Sequence, residues 1–283
     1  GNNVRREIIL TLEKMGIDVE YSHHEVAPSQ HEIDLKYKEG LKMADIVMVY
    51  RMVVKEVAQK MGLYATFMPK PIYGINGSGM HTHQSLFKGD KNAFFDANDK
   101  YNLSEVGKKY IAGILKHARE ITFVCNQWVN SYKRLVPGYE APVYICWARR
   151  NRSALVRVPM YKPGKEKATR IEFRSPDPAC NPYLAFACMV AAGMKGVENN
   201  YQLPEPLERD VYHLTKDEMK ELGIECLPGS LIEAIEVAEE SQLLKEVLGN
   251  HIYTNLIAAK KIEWDMYRQE VHQYEVKTYL PIL

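Results

Sequence analysis

The chain has 283 residues, 46% hydrophobic and 26% charged, with a formal net charge of +1. This composition suits a soluble globular protein of one large or two small domains. The near-zero charge excludes a bulk electrostatic pull toward nucleic acid or a membrane surface. Five cysteines with no CxxC pair exclude a thiolate metal framework and a disulfide scaffold, and suit a reducing cytoplasm. No signal peptide and no bilayer-spanning apolar run is found. The chain opens on Gly1 and enters an amphipathic helix almost at once, which reads as a chain cut from something longer.

In chain order, residues 4–15 predict a helix stopped by Gly16, and 17–35 predict strand, turn, strand. Residues 36–61 have helical periodicity ending at Gly62. Residues 63–87 read as two strands around the Pro69–Pro71 break and the Gly74–Gly79 turn. A helix runs from Ser104, an N-cap followed by Glu105, to Val124. Residues 130–142 read as loop, with strands at 152–158 and 169–174. Asn181–Pro182 starts a helix over 182–198, and helices follow at 215–222, 230–248 and 250–279. Strands early and helices late predict an α+β fold. No strand leads into GxGxxG or a P-loop.

Three stretches carry chemistry. In HHEVAPSQHEIDL, a two-residue turn at Pro28–Ser29 pairs Ala27 with Gln30 and sets Glu25 directly opposite Glu32. Opposed β-carbons lie about 4.5–5.5 Å apart. Two carboxylates at that distance repel unless a divalent cation takes oxygen from both. A solvated hairpin face explains the same pattern, and the stretch alone leaves both readings open. In NGSGMHTHQSLF, period two sets His81, His83 and Ser85 on one face beside a glycine-rich turn. In ATRIEFRSPDP, Arg170, Glu172 and Arg174 share one face and Ile171 and Phe173 the other. An exposed ladder, worth little in stability, competes there with a charged cleft. Arg149, Arg150, Arg152, Arg157 and Lys167 lie nearby, and arginine's planar fork suits carboxylate or phosphate.

The stretches HHEVAPSQHE, KPIYGINGSGMHTHQS, NSYKRLVPGYEAP with ARRNRSALVRVP, and TRIEFRSPDPACNPYLA occur in this order. Together they resemble glutamine synthetase of the bacterial and archaeal type I class, over essentially the whole chain. The resemblance implies an antiparallel curved sheet, a partial barrel of guanido-kinase-like type, packed with helices. It implies ATP-dependent ligation of ammonium to L-glutamate through γ-glutamyl phosphate, with Mg²⁺ or Mn²⁺. Glu25, Glu32, His81 and Glu172 match metal ligands. Asn76, Gly77 and Arg134 match glutamate-binding positions, and Arg152 and Arg174 match positions near the reacting carboxylate and phosphoryl group. His83, Ser85, Arg157, Lys167 and Arg170 match ATP contacts. Glu140 matches a flap carboxylate that takes a proton from ammonium. Ser29 stands where the family usually has glycine.

The same resemblance implies a cytoplasmic dodecamer of two hexameric rings, with no nucleic-acid or membrane partner. It implies that residues 1–283 are a catalytic domain truncated at its N-terminus. A small β-rich domain and a strand with two further metal-binding glutamates are expected upstream, so this chain alone is expected to be inactive. The rivals are a ligase joining glutamate to another amine, a non-catalytic relative, and a dinuclear metal hydrolase. Tyr212 lies near a region covalently regulated in some relatives, but a lone tyrosine before a helix reads as structural.

Overall fold

A computed structural model describes residues 1–137, 141–160, 162–208 and 216–283. Glu140 and Tyr212 therefore lie outside the described residues. Two hydrophobic cores organise the described residues. The smaller joins helix α1 (Asn2–Lys14), a hairpin of β1 (Val19–His24) and β2 (His31–Leu35), and helix α2 (Gly40–Lys60) around Ile8, Leu12, Ile17, Ile46 and Val53. Gly16 and Gly62 end the two helices at φ +77° and +71°, a backbone conformation that glycine adopts without a Cβ penalty.

The hairpin exists, but its register differs from the expected one. Ala27 O accepts from Gln30 N at 3.1 Å across Pro28–Ser29, so the turn is where expected. The ladder, however, resumes with Glu25 N donating to Gln30 O at 2.9 Å. Two more residues are thereby spent in the loop. His23, not Glu25, stands opposite Glu32, and Glu25 stands opposite Gln30. Ser29 sits at φ +58°, where a non-glycine residue carries strain of about 1 kcal/mol. Ser29→Gly should therefore stabilise the protein by up to about 1 kcal/mol, read as a raised urea midpoint; an unchanged or lowered midpoint would contradict it.

The larger core holds a four-stranded open sheet in the order β3 (Thr82–Gln84), β8 (Ile171–Phe173), β7 (Ala154–Arg157), β6 (Tyr144–Ala148). The β3–β8 and β8–β7 pairs are antiparallel and β7–β6 is parallel, so the sheet is mixed and not the all-antiparallel one expected. Strand β6 falls where no strand was predicted. Its segment, YICWA, is a short apolar run buried along most of its length, without the alternation that marks a half-buried strand. Residues 63–81 form no strand, because Pro69, Pro71 and three glycines interrupt them. A small separate ribbon pairs β4 (Phe87–Lys88) with β5 (Lys91–Asn92).

Helices cover the sheet. The helix predicted from Ser104 is two, α3 (Glu105–Lys116) and α4 (Ala118–Cys125), broken at His117. Ser104 Oγ caps α3 by accepting Gly107 N. A short α5 (Ser131–Arg134) interrupts the expected loop. Helix α6 (Pro182–Glu198) spans the predicted residues, capped by Asn181. Next come α7 (Lys216–Glu221), α8 (Leu231–Glu240), α9 (Gln242–Gln269), kinked at Gly249, and α10 (Gln273–Tyr279). Helices α3 and α6 touch backbone to backbone: a Cβ on Gly196 would overlap Lys109 O and stand 2.6 Å from Gly113 N.

Candidate functional site

The site grows from strand β8. Ile171 and Phe173 are fully buried on its apolar face, as their alternation predicts. The opposite face is buried too: Glu172 is 2% and Arg174 6% exposed. The ladder register explains why. Glu172 stands opposite His83 on β3 and Arg157 on β7, so three strands present one polar row. Glu172 then meets three groups. Its Oε1 lies 3.2 Å from His81 Nδ1 and 3.2 Å from Arg174 Nη1, and its Oε2 accepts from Arg157 Nε. Burial opposes its ionisation, but the His81 hydrogen bond and the arginine charges outweigh it and hold the carboxyl well below the usual range. Burial lowers the His81 pKa, with Glu172 opposing. A neutral imidazole is the form that ligates a metal.

The glycine-rich turn packs against Arg134. A Cβ on Gly79 would lie 2.6 Å from Arg134 Nη2 and 3.0 Å from His81 Nε2. One on Gly77 would overlap Pro69 O and stand 3.0 Å from Arg134 Cγ. Asn76 adjoins this turn and is half-buried. Arg134, 4% exposed, donates to Ser175 O at 2.6 Å and Arg174 O at 3.1 Å. Four contributors were not evident in the sequence. Gln30 Nε2 donates to Gly77 O (3.0 Å) and Ser78 Oγ (3.1 Å), tying the hairpin to the turn. Asn130 bonds Lys70 N and O. Lys70 Nζ reaches Ile75 O, and Arg51 Nη1 donates to Cys180 O at 2.9 Å.

The hairpin carboxylates form a second set. His23 Nε2 lies 2.8 Å from Glu25 Oε1 and 3.9 Å from Glu32 Oε2. Burial, then Glu25 and Asp34, push the Glu32 carboxyl well above its ordinary value. Burial also opposes ionisation of Glu25, yet hydrogen bonds to Glu32 and His23 lower it. One proton shared between two carboxylates has this signature. Among the described residues, ligand atoms of His23, Glu32 and Asp34 all lie within 4.8 Å of one another. This oxygen and imidazole donor set fits a divalent cation such as Mg²⁺ or Mn²⁺. His23 and Asp34 were missed; period two from Glu32 marks Asp34, but His23 needs the true register.

The expected ligands thus fall into two sets, Glu25 with Glu32 at the hairpin and His81 with Glu172 beside the larger sheet, and Gln30 ties the hairpin to the turn before His81. Of the nucleotide positions, Arg157 joins Glu172, and Arg170 Nε donates to His83 Nδ1 at 3.1 Å. Ser85 lies just past β3 and Lys167 on a 3₁₀ turn, both exposed. Arg152 is exposed in the turn before β7. All five cysteines are free. Among the described residues no helix is long and apolar enough to cross a membrane.

Known proteins share this architecture. The chain matches the family described as glutamine synthetase, catalytic domain, over residues 1–279. It is 52% identical over 280 residues to a glutamine synthetase of Clostridium saccharobutylicum and 51% to one of Staphylococcus aureus. Both matches cover 99% of this chain and 62% of the relative, so the chain spans less than two thirds of these curated relatives. A GmaS/ADP complex superposes with a TM-score of 0.89 at 33% identity, covering 99% of this chain and 64% of that one. A Plasmodium falciparum glutamine synthetase gives 0.88 at 29%, covering 99% and 61%. On this agreement of sequence and fold, the chain belongs to the glutamine synthetase catalytic-domain family.

Proposed function

We propose that the protein carrying this chain is a glutamate–ammonia ligase that consumes ATP. The observation supporting it most is the polar row on β8, where a single buried Glu172 faces both Arg157 and Arg174. That surplus of positive charge suits a polyphosphate. A relative of the same fold that holds ADP is consistent with it.

A carboxylate does not react with ammonia directly, because oxide is a poor leaving group. The γ-phosphoryl group of ATP passes to the side-chain carboxylate of glutamate and ADP departs. The nitrogen of ammonia then attacks the carbonyl carbon, phosphate leaves, and the nitrogen gives up a proton. Arg134 grips the glutamate carboxylate, and Asn76 and Gly77 hold its amino end. Arg152 and Arg174 stabilise charge on the transferring group. His83, Ser85, Arg157, Lys167 and Arg170 receive the nucleotide. Glu140 accepts the proton. His81, Glu172, Glu25 and Glu32 would hold divalent cations, which neutralise polyphosphate charge when bound.

The finer architecture belongs to the same proposal. A strand bearing two more glutamates, outside these 283 residues, extends the sheet into a curved partial barrel of guanido-kinase-like form and completes the metal site. The assembly is a cytoplasmic dodecamer. The test is an assay of the full-length protein with ATP, glutamate and ammonia. Glutamine and ADP should form together, stop with EDTA and resume with Mg²⁺ or Mn²⁺. Preference for ethylamine or putrescine over ammonia would shift the assignment to another amine ligase. Turnover independent of ATP would overturn it.

A further inference from the structure

Asp177 is fully buried, and no step of the reaction above falls to it. Its Oδ1 accepts Ala179 N–H at 3.0 Å and its Oδ2 accepts Asn126 Nδ2 at 3.0 Å. The Ser131 side chain also bonds the carboxylate. Both oxygens act as acceptors, the pattern of an ionised carboxylate. Burial pushes the group up, while Ser131, Arg134 and Asn126 oppose that push. The buried guanidinium of Arg134 is a cation that favours the ionised form.

The two segments concerned are tied at several points. Asn126 Nδ2 donates to Ser175 O at 2.8 Å, and Arg134 Nη1 donates to that same carbonyl at 2.6 Å. Asp177 N donates to Cys125 O at 3.2 Å, Trp128 Nε1 to Ala179 O at 3.0 Å, and Asn181 N to Gln127 Oε1 at 3.1 Å. Asn126 therefore links the Asp177 carboxylate to the carbonyl that fixes the Arg134 guanidinium.

We infer that Asp177 is a positioning residue for glutamate binding. Through Asn126 and the Ser175 carbonyl it sets the plane of the Arg134 guanidinium. The inference rests on Arg134 being the group that grips glutamate.

The experiment is Asp177→Asn in the full-length protein, which keeps size and removes charge. KM for glutamate should rise about tenfold, the scale of one lost charged hydrogen bond, with KM for ATP within about twofold. Asn126→Ala removes both Nδ2 bonds and keeps the charge; it should raise KM for glutamate about threefold even if Asp177→Asn fails to fold. Unchanged KM for glutamate in both variants, or equal rises for both substrates, would overturn the inference. A crystal structure of either variant is a second readout that needs no turnover. The guanidinium of Arg134 should leave the Ser175 and Arg174 carbonyls; an unmoved guanidinium overturns the inference. A parent protein that makes no glutamine would sink the ligase reading alone, leaving the crystal structure to decide this one.

Discussion

Glu172→Gln should cost about 3–5 kcal/mol of folding stability and, on the proposed reading, sharply lower glutamine formation by the full-length protein. The side chain is 3% exposed and receives Arg157 Nε, Arg174 Nη1 and the edge of His81. Glutamine keeps the shape and one acceptor but loses the charge. Arg174, 6% exposed, then shares a buried site with Arg157 and no anion between them. Removing one partner of a buried pair typically costs about 3–5 kcal/mol, because the other charge stays desolvated. Urea unfolding of both proteins measures it. A loss below about 1 kcal/mol, the scale of an exposed pair, would show the cluster to be solvated. Catalysis is affected too on the proposed reading, since the same residue would hold a divalent cation. Glutamine formation by the full-length protein should fall by about a hundred- to a thousandfold, the range seen when a single charge-stabilising group is removed from an active site.

Gly196→Ala should destabilise by about 3 kcal/mol or more. Alanine is the better helix former by about 1 kcal/mol, so an exposed site would gain stability. Here the added methyl would overlap Lys109 O and lie 2.6 and 2.7 Å from Gly113 N and Cα. Those atoms are backbone and cannot rotate away. Overpacking of this kind costs about 1–3 kcal/mol and more when backbone must move. Gly113→Ala, whose Cβ would overlap Ala192 O and meet Gly196 N at 2.8 Å, should behave alike. The two costs should not add, because both are relieved by the same parting of α3 from α6. A midpoint at or above that of the unsubstituted protein would exclude this close approach.

Local signals made much of this legible. Asn181 before Pro182 gives α6 its start, and the cap is formed, with Asn181 Oδ1 accepting Tyr183 N at 3.0 Å. Alternation placed Ile171 and Phe173 inside. What could not be read depends on distant segments. A strand of Arg, Glu and Arg looks solvent-facing by itself, and its burial comes from β3 and β7, some 90 and 15 residues away. Ladder register also resisted: Pro28–Ser29 marked the turn, but nothing local told how many residues the loop would take. That choice decided whether His23 or Glu25 faces Glu32.

The meeting of α3 and α6 also bears on the segment beside Arg134. Helix α6 begins at Pro182, two residues after the 175–180 segment, whose carbonyl at Ser175 accepts from Arg134. A contact made of main chain has no rotamers to exchange, so it yields little slack on the timescale of side-chain hopping. The carbonyl that accepts from Arg134 thus lies on a segment leading into a helix braced by main-chain contact.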